Sequence, residues 1–201
     1  MHISEGVLSI PVLAVGIAGT AVGTAYGLKK IKEKDIPKTA IVSAALFVVS
    51  LLHLSLGAVS VHLTLNGLAG VILGWGIFPV YLLILFLQAV LFQFGGLTVL
   101  GVNTLVLALP GLLSFFIFKI IVGEKLKEGK KIIIAGFTGG FIGVLGAAFL
   151  SIFALVMTEA SFMELAALIS LSDLPIALLE GGLTALVILF LLKIKPEIIK
   201  K

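Results

Sequence analysis

The sequence predicts an all-α integral membrane protein, a single domain over residues 1–201 that forms a bundle of about seven transmembrane helices. Of the residues, 60% are hydrophobic and 12% are charged, whereas soluble domains carry roughly 25% charged residues. Stretches such as VYLLILFLQAVLF are apolar on every face, whereas the strands of a membrane barrel alternate apolar and polar residues. Because backbone groups in lipid must be paired within the segment, helices are expected.

The lysines predict the orientation in the membrane. All fourteen basic residues are lysines, and they form three clusters, within 29–38, 119–131 and 193–201. The positive-inside rule places the three clusters in the cytoplasm. The opening MHISEG has no positive side chain, and a signal peptide needs one. We therefore expect a retained first helix with its N-terminus outside, and a cytoplasmic C-terminus.

The helices follow from the apolar stretches and the polar breaks between them. The chain must cross an even number of times between the first two lysine clusters, and SVHLTLNG, GIFP and GGLT supply the breaks. Helices 3 and 4 are short, so they could also be half-helices flanking a buried break, which changes the count by two. The predicted helices cover about 6–28, 39–57, 66–77, 79–94, 99–120, 132–157 and 174–192.

Several classes of protein are disfavoured. The chain has no cysteine, which excludes disulfides and thiolate metal sites. It has neither a Walker A sequence nor the HExxH of a zinc protease, so we expect no enzyme. The sequence has no basic face with interleaved aromatic residues, the pattern that would predict nucleic-acid binding. An ion-coupled secondary metal permease stays an alternative. It would need a relay of intramembrane carboxylates and usually an inverted repeat, and the sequence has few such carboxylates and no visible repeat.

Met1 and His2 can chelate a metal without help from the fold. The α-amine, the backbone nitrogen of His2 and its Nδ1 close a five-membered and a six-membered ring nearly in one plane. A fourth nitrogen completes a square-planar site, which suits Ni²⁺ or Cu²⁺, and Co²⁺ also binds such nitrogens. Because the amide must lose its proton, binding should weaken as the pH falls.

The other two histidines are candidates for the fourth nitrogen. His62 lies in the polar break SVHLTLNG, at the predicted outer face with the N-terminus. It is therefore the better ligand, although a histidine at a helix end is more often a solvated residue. His53 is expected in or near the end of helix 2. It would either support the ligands without binding the metal or serve only in packing.

Four blocks together resemble the substrate-binding (S) subunit of cobalt/nickel energy-coupling-factor transporters, the CbiM/NikM family. The blocks are MHISEG, SVHLTLNGLAGVILGW, LQAVLFQFGGLTVLGVNT and DLPIALLEG. The resemblance implies seven helices, with the N-terminus inserted toward the core. It also implies that Met1, His2 and the histidine matching His62 bind the metal. Cobalt or nickel is then the transported substrate, and no permanent cofactor is expected.

The resemblance also assigns supporting residues. Asn66 and Asn103 would hydrogen-bond to the ligands and orient them. Glu5 and Glu180 would be buried polar groups with the same supporting role. Many members carry histidine where this chain has Phe94 and Asp173, so those roles do not carry over. Ser172, Asp173 and Pro175 are instead typical of a helix start, and we expect Asp173 to cap helix 7.

The resemblance implies partners in the lipid bilayer. These are a membrane T subunit, ATPase subunits and often a small accessory membrane protein, whose ATP-driven motion topples the S subunit to expose its site inward. Small residues let helices approach closely in lipid. Gly19, Gly23 and Gly27 in helix 1 are therefore candidates for docking a partner, with packing inside the chain as the equal alternative. A similar stripe in helix 6 contains Gly136, Gly139, Gly140 and Gly143.

Overall fold

The computed structural model describes residues 3–56, 59–123 and 129–199, without the side chains of residues 53–62 and 164–171. Within these ranges the chain forms seven α-helices and one two-stranded antiparallel sheet. The strands are β1 (His53–Leu56) and β2 (Val59–His62). The helices are α1 (Ile10–Lys30), α2 (Ile36–Ser50), α3 (Asn66–Leu73), α4 (Ile77–Phe92), α5 (Leu100–Val122), α6 (Gly129–Thr158) and α7 (Met163–Ile194).

The described residues contain five helical stretches long and apolar enough to cross a membrane, which agrees with a helical membrane bundle. One is the run Asn66–Phe92, of 27 residues. This run is not one straight helix, because it is interrupted by a 3-10 turn, Gly74–Gly76, in which Gly74 has a φ of 55°. The predicted short helices 3 and 4 therefore correspond to α3 and α4, with the break two residues earlier than GIFP.

Contacts show that α3 and α4 run in opposite directions. Gly70 of α3 lies against the carbonyl of Gly111 in α5, and Gly74 lies against the ring of Phe115, so α3 runs parallel to α5. Phe78 at the start of α4 lies against Gly23 near the end of α1, and α4 then leads back toward the first residues of α5. With only 8 residues, α3 is about 12 Å long at 1.5 Å per residue, too short to cross a bilayer alone.

The long helices alternate in direction and bring the lysines to one end. Val102 of α5 lies against Gly16 of α1, and Leu105 lies against Gly19, so α1 and α5 are parallel. Helix α6 is antiparallel to α5, because Gly146 contacts Pro110 while the earlier Gly139 accepts from Ser114. Helix α7 is antiparallel to α6, because Gly136 contacts Ala185 and Gly140 contacts Glu180. The ends of α1, α5 and α7 and the start of α6 therefore share one end of the bundle, which we call the lysine end. The opposite end is the N-terminal end.

The prediction for helix 2 is wrong beyond Ser50. Helix α2 ends there, and β1 and β2 form a hairpin in which His53 stands opposite His62. His53 therefore begins a strand and is not in a helix. The physical reason is the alternation in HLSL and VSVH, in which apolar and polar residues follow each other with the period of a strand.

The prediction for helix 7 is also wrong at its start. Helix α7 begins at Met163 and continues through Asp173 and Pro175. Asp173 is buried inside this helix, with 3% of its surface exposed, and does not cap it. A proline inside a membrane helix is tolerated where neighbouring groups compensate for its missing N–H. Helix α1 begins four residues later than predicted, after Ser9, with Pro11 in its first turn.

Close helix contacts explain the glycine stripes. A Cβ on Gly23 would lie 2.3 Å from the Phe78 ring, and one on Gly27 would lie 2.4 Å from the carbonyl oxygen of Trp75. In α6, a Cβ on Gly143 would lie 2.7 Å from the backbone nitrogen of Gly67. These positions need glycine for packing within the chain. Docking of a partner at the α1 glycines is a separate prediction that these contacts do not test.

Candidate metal-binding site

The N-terminal segment, residues 3–9, is attached to the first turn of α5. The backbone N–H of Ile3 donates to Oδ1 of Asn103 at 3.0 Å, and Nδ2 of Asn103 donates to the carbonyl of Ile3 at the same distance. Both residues are buried. A single amide side chain therefore pairs with both backbone groups of the residue that follows His2.

Glu5 makes a second attachment. Its N–H donates to the carbonyl of Gly95 at 3.2 Å, and its carboxylate accepts from the N–H of Thr98 at 3.0 Å. The prediction that Glu5 is buried is wrong, because the residue is exposed at the edge of the loop between α4 and α5. A surface carboxylate that accepts a backbone N–H needs no burial to hold the segment.

The segment ends at the neighbouring helix α6. The N–H of Ser9 donates to the hydroxyl of Thr158, the last residue of that helix, at 3.2 Å. Residues 3–9 are therefore tied to the loop before α5, to the start of α5 and to the end of α6. These are all at the N-terminal end of the bundle.

The linker that leads from β2 to α3, residues 63–65, is held by Glu180 of α7. The carboxylate accepts from the backbone N–H of Thr64, from that of Leu65 at 2.9 Å and from the Thr64 hydroxyl at 3.1 Å. Glu180 is fully buried, as predicted. Such charge-assisted bonds are stronger than those between neutral groups. Thr64 lies two residues after His62, so Glu180 fixes the end of the strand that carries this histidine.

Two residues that the sequence did not single out complete this anchor. Tyr81 of α4 donates its hydroxyl to the carbonyl of Thr64 at 2.6 Å, and Leu65 adopts a left-handed φ of 48°. Leucine rarely has a positive φ, so the surrounding bonds must hold it there. The only sign of this role in the sequence was that Thr64 and Tyr81 are isolated polar residues within apolar stretches.

Asn66 begins α3 and joins three helices. Its Nδ2 donates to the carbonyl of Leu107 in α5 at 3.2 Å and to that of Gly143 in α6 at 2.8 Å. The hydroxyl oxygen of Thr64, whose one proton goes to Glu180, also lies 3.3 Å from Oδ1 of Asn66. Asn66 is fully buried. It therefore positions the start of α3 within the bundle.

These anchors bring the two predicted ligand-bearing segments to the same part of α5. Asn103 binds Ile3, and Leu107, one turn later on that helix, binds Asn66. Residues four apart lie on one face of a helix, about 6 Å apart along its axis. Ile3 follows His2 directly, and Asn66 follows His62 by four residues.

The ligand atoms themselves are a prediction. Met1 and His2 lie outside the described residues, and so do the side chains of His53 and His62. The backbone of the hairpin pairs His53 with His62 in register. Among the residues that the structure describes, no three histidine, aspartate or glutamate side chains form a metal-binding group.

The structure describes both Phe94 and Asp173, the two positions at which the resemblance leads us to expect histidine in many members. Phe94 is half-buried beside Phe92, with ring centroids 5.9 Å apart. Asp173 is buried in α7, and its Oδ2 has no hydrogen-bond partner in the part of the chain that the structure describes.

The family is decided by a match over residues 2–198 to the cobalt uptake substrate-specific transmembrane region, CbiM. The chain belongs to the CbiM family. It is a multi-pass protein of the cell membrane and a CbiM-type transporter of cobalt uptake.

Individual relatives match nearly the whole chain or all of it. It is 38% identical to a protein of Haemophilus influenzae described as a metal transport protein, over 100% of this chain and 98% of that one. It is 31% identical to the cobalt transport protein CbiM of Clostridium tetani, over 96% and 85% of the two chains.

Two solved structures share the fold. One, a transition metal transporter, has a TM-score of 0.79 and 25% identity, and the match covers 100% of this chain and 97% of that one. The other, a truncated transition metal transporter, has a TM-score of 0.78 and the same identity over 96% and 99%.

Proposed function

We propose that this chain is the substrate-capture subunit of an ATP-driven energy-coupling-factor importer for Co²⁺, with Ni²⁺ as the second candidate. The observation that carries the proposal is the attachment of Ile3 and Asn66 to α5 one turn apart. This arrangement supports a metal held between the N-terminus and the end of β2.

The proposed site has four nitrogens. They are the Met1 amine, the His2 amide and Nδ1, and a ring nitrogen of His62. The planar chelate of the first three leaves one position open, which a histidine on a separate rigid segment fills. Cobalt and nickel both accept such nitrogens, so selectivity between them must come from the shape of the site and from metal supply.

Asn103 and Glu180 then act as positioning residues. Asn103 pairs with the backbone of the residue after His2, and Glu180 binds the backbone two residues after His62. Mutation of residues that hydrogen-bond to and orient metal ligands typically lowers the metal affinity by about 10–100-fold. His53, opposite His62 in the hairpin, is proposed as a supporting group rather than a ligand.

Energy must come from other chains in this proposal, because the sequence has no Walker A motif. The proposed partners are a membrane T subunit, ATPase subunits and a small accessory membrane protein. A relative from Methanocorpusculum labreanum, a fused cobalt transport protein CbiMQ, supports a membrane partner; it matches 98% of this chain with 36% of its own length. The lysine end is proposed to face the cytoplasm.

The alternative, a secondary permease without ATPase partners, predicts a different transport result. Proteoliposomes with this chain alone, and with the complete complex with and without ATP, should be tested for ⁵⁷Co²⁺ uptake. The proposal predicts uptake only in the complex with ATP. Uptake by this chain alone, driven by an ion gradient, would establish the permease.

The chelate is tested by adding Gly-Ser before Met1 and titrating the purified protein with Co²⁺. The extended protein should lose tight binding, because the first amine moves away from the His2 nitrogens. Gly-Ser added after Lys201 is the matched control and should bind as the parent does. Equal affinity in all three proteins would reject the N-terminal chelate.

Acid should weaken binding in the unextended protein. The amine and the amide must both be deprotonated to bind the metal, so each bound ion releases protons. The Co²⁺ affinity should therefore fall steadily as the pH is lowered below neutrality, and titrations in buffers of different ionisation enthalpy should report the released protons. An affinity that does not depend on pH would exclude a deprotonated amide ligand.

A further inference from the structure

We propose that the Asp173 carboxylate is the counter-charge of the bound divalent cation and sets the affinity of the site without binding the metal directly. This inference rests on the proposed function. It concerns a side chain in α7 that the chelate does not use.

The first observation is a buried carboxylate oxygen. Asp173 is 3% exposed, and its Oδ2 has no hydrogen-bond partner among the described residues. Burial of a charge is costly unless it is paired, and ionisable groups at membrane depth are usually functional. Glu180 on the same helix differs, since it accepts from two backbone N–H groups and a hydroxyl. Within the described part of the chain, Oδ2 of Asp173 can therefore still face a positive charge.

The second observation is its place on the helix. Asp173 lies seven residues before Glu180, so both are on one face of α7, about 10 Å apart along the axis. Glu180 holds Thr64, and His62, the last residue of β2, lies two residues before Thr64 in the chain. Since α7 runs toward the lysine end, Asp173 is displaced from Glu180 toward the N-terminal end. The N-terminal segment is attached at that end.

The third argument is charge balance. A divalent cation bound to one deprotonated amide and three neutral nitrogens keeps one net positive charge. In a medium of low dielectric constant, that charge favours a nearby anion strongly. Glu5 is exposed and accepts from Thr98, and Glu180 is occupied by the linker. Asp173 is the described carboxylate at the N-terminal end that is both buried and incompletely bonded.

The test is Asp173→Asn in the full-length protein, which removes the charge and keeps the shape. The Co²⁺ affinity should fall about tenfold or more, which is the range known for residues that support metal ligands without binding the metal. The visible absorption of bound Co²⁺ should not change, because the ligands are the same. The thermal stability of the metal-free protein should change little, because asparagine keeps the shape of the side chain.

Two further variants sharpen the result. Asp173→Glu keeps the charge and should retain more affinity than Asp173→Asn. Glu159→Gln removes an exposed carboxylate four residues before α7 begins and should bind as the parent does. If Asp173→Asn does not fold, Asp173→Ser is measured against the same criteria.

The outcomes separate the inference from the proposed function. Parental affinity in Asp173→Asn, with binding lost in the Gly-Ser extension, overturns the inference and leaves the chelate intact. A shifted Co²⁺ spectrum in Asp173→Asn also overturns it, because Asp173 would then be a ligand. Tight binding in the Gly-Ser extension rejects the proposed function itself.

Discussion

The N-terminal segment and the linker before α3 are attached to the bundle in different ways. Residues 3–9 are held by neutral amide and hydroxyl groups of Asn103 and Thr158, and by the exposed Glu5. The linker is held by Glu180, a fully buried carboxylate. The linker should therefore be a rigid part of the fold. Displacement of the N-terminal segment from the bundle should cost less free energy, which would let a metal ion enter.

The largest effect is expected for Glu180→Ala. The substitution leaves the N–H groups of Thr64 and Leu65 buried and unpaired, and each such group costs about 1–3 kcal/mol. Thermal or denaturant unfolding should show a loss of about 3 kcal/mol, together with a strong loss of Co²⁺ affinity. Glu197→Ala, which removes an exposed carboxylate after α7, is the control. A folded, fully stable Glu180→Ala protein would contradict the role of this carboxylate as the anchor of the linker.

Asn103→Ala should weaken metal binding more than it weakens the fold. It removes both bonds to Ile3, which frees the N-terminal segment, and we expect an affinity loss of about 10–100-fold. Asn103→Asp keeps the acceptor for the Ile3 N–H but loses the donor, so its affinity should be intermediate. Affinity and unfolding are measured on the same samples. A stability loss as large as that of Glu180→Ala would remove the difference between the two anchors.

Gly96→Ala should have a smaller effect on the N-terminal segment. Gly96 has a φ of 142°, and a Cβ there would lie 1.9 Å from Cγ of Glu5. Gly123→Ala is the matched control, since Gly123 also has a positive φ but has open space around the added atom. Both should lose about 1–2 kcal/mol of stability, because alanine is strained at a positive φ, and only Gly96→Ala should lower the Co²⁺ affinity. Equal affinities would mean that the Glu5 contact does not position the segment.

The smallest effect is expected for Glu5→Gln. The amide keeps an oxygen that can accept from Thr98, and surface substitutions usually change stability by less than about 0.5 kcal/mol. Co²⁺ titration should give an affinity close to that of the parent. A large loss would show that the Glu5 charge itself acts on the metal, and the counter-charge would have to be shared with Asp173.

The membrane class followed from composition, whereas Glu180, Asn66 and Asn103 were named through the resemblance to the CbiM/NikM family. The helical class and the burial of Glu180 are confirmed, and the role of the asparagines at the metal stays a prediction. The prediction from sequence missed the hairpin, since the four-residue alternation of His53–Leu56 is short and follows an apolar helix. It also placed the start of α7 at about residue 174 with Asp173 as its cap, because Ser, Asp and Pro imitate a helix start. There Ile176 and Ala177 pack on Val144 of α6, and no local pattern reports such packing.

The central claim is that one metal ion binds nitrogens from both segments. X-ray absorption at the cobalt K edge of the loaded protein measures this most directly. We predict a first shell of nitrogen ligands with the scattering of two imidazole rings, from His2 and His62, falling to one ring in His62→Ala. A parent spectrum with one ring or none, or a shell dominated by oxygen, would contradict a site shared by the two segments.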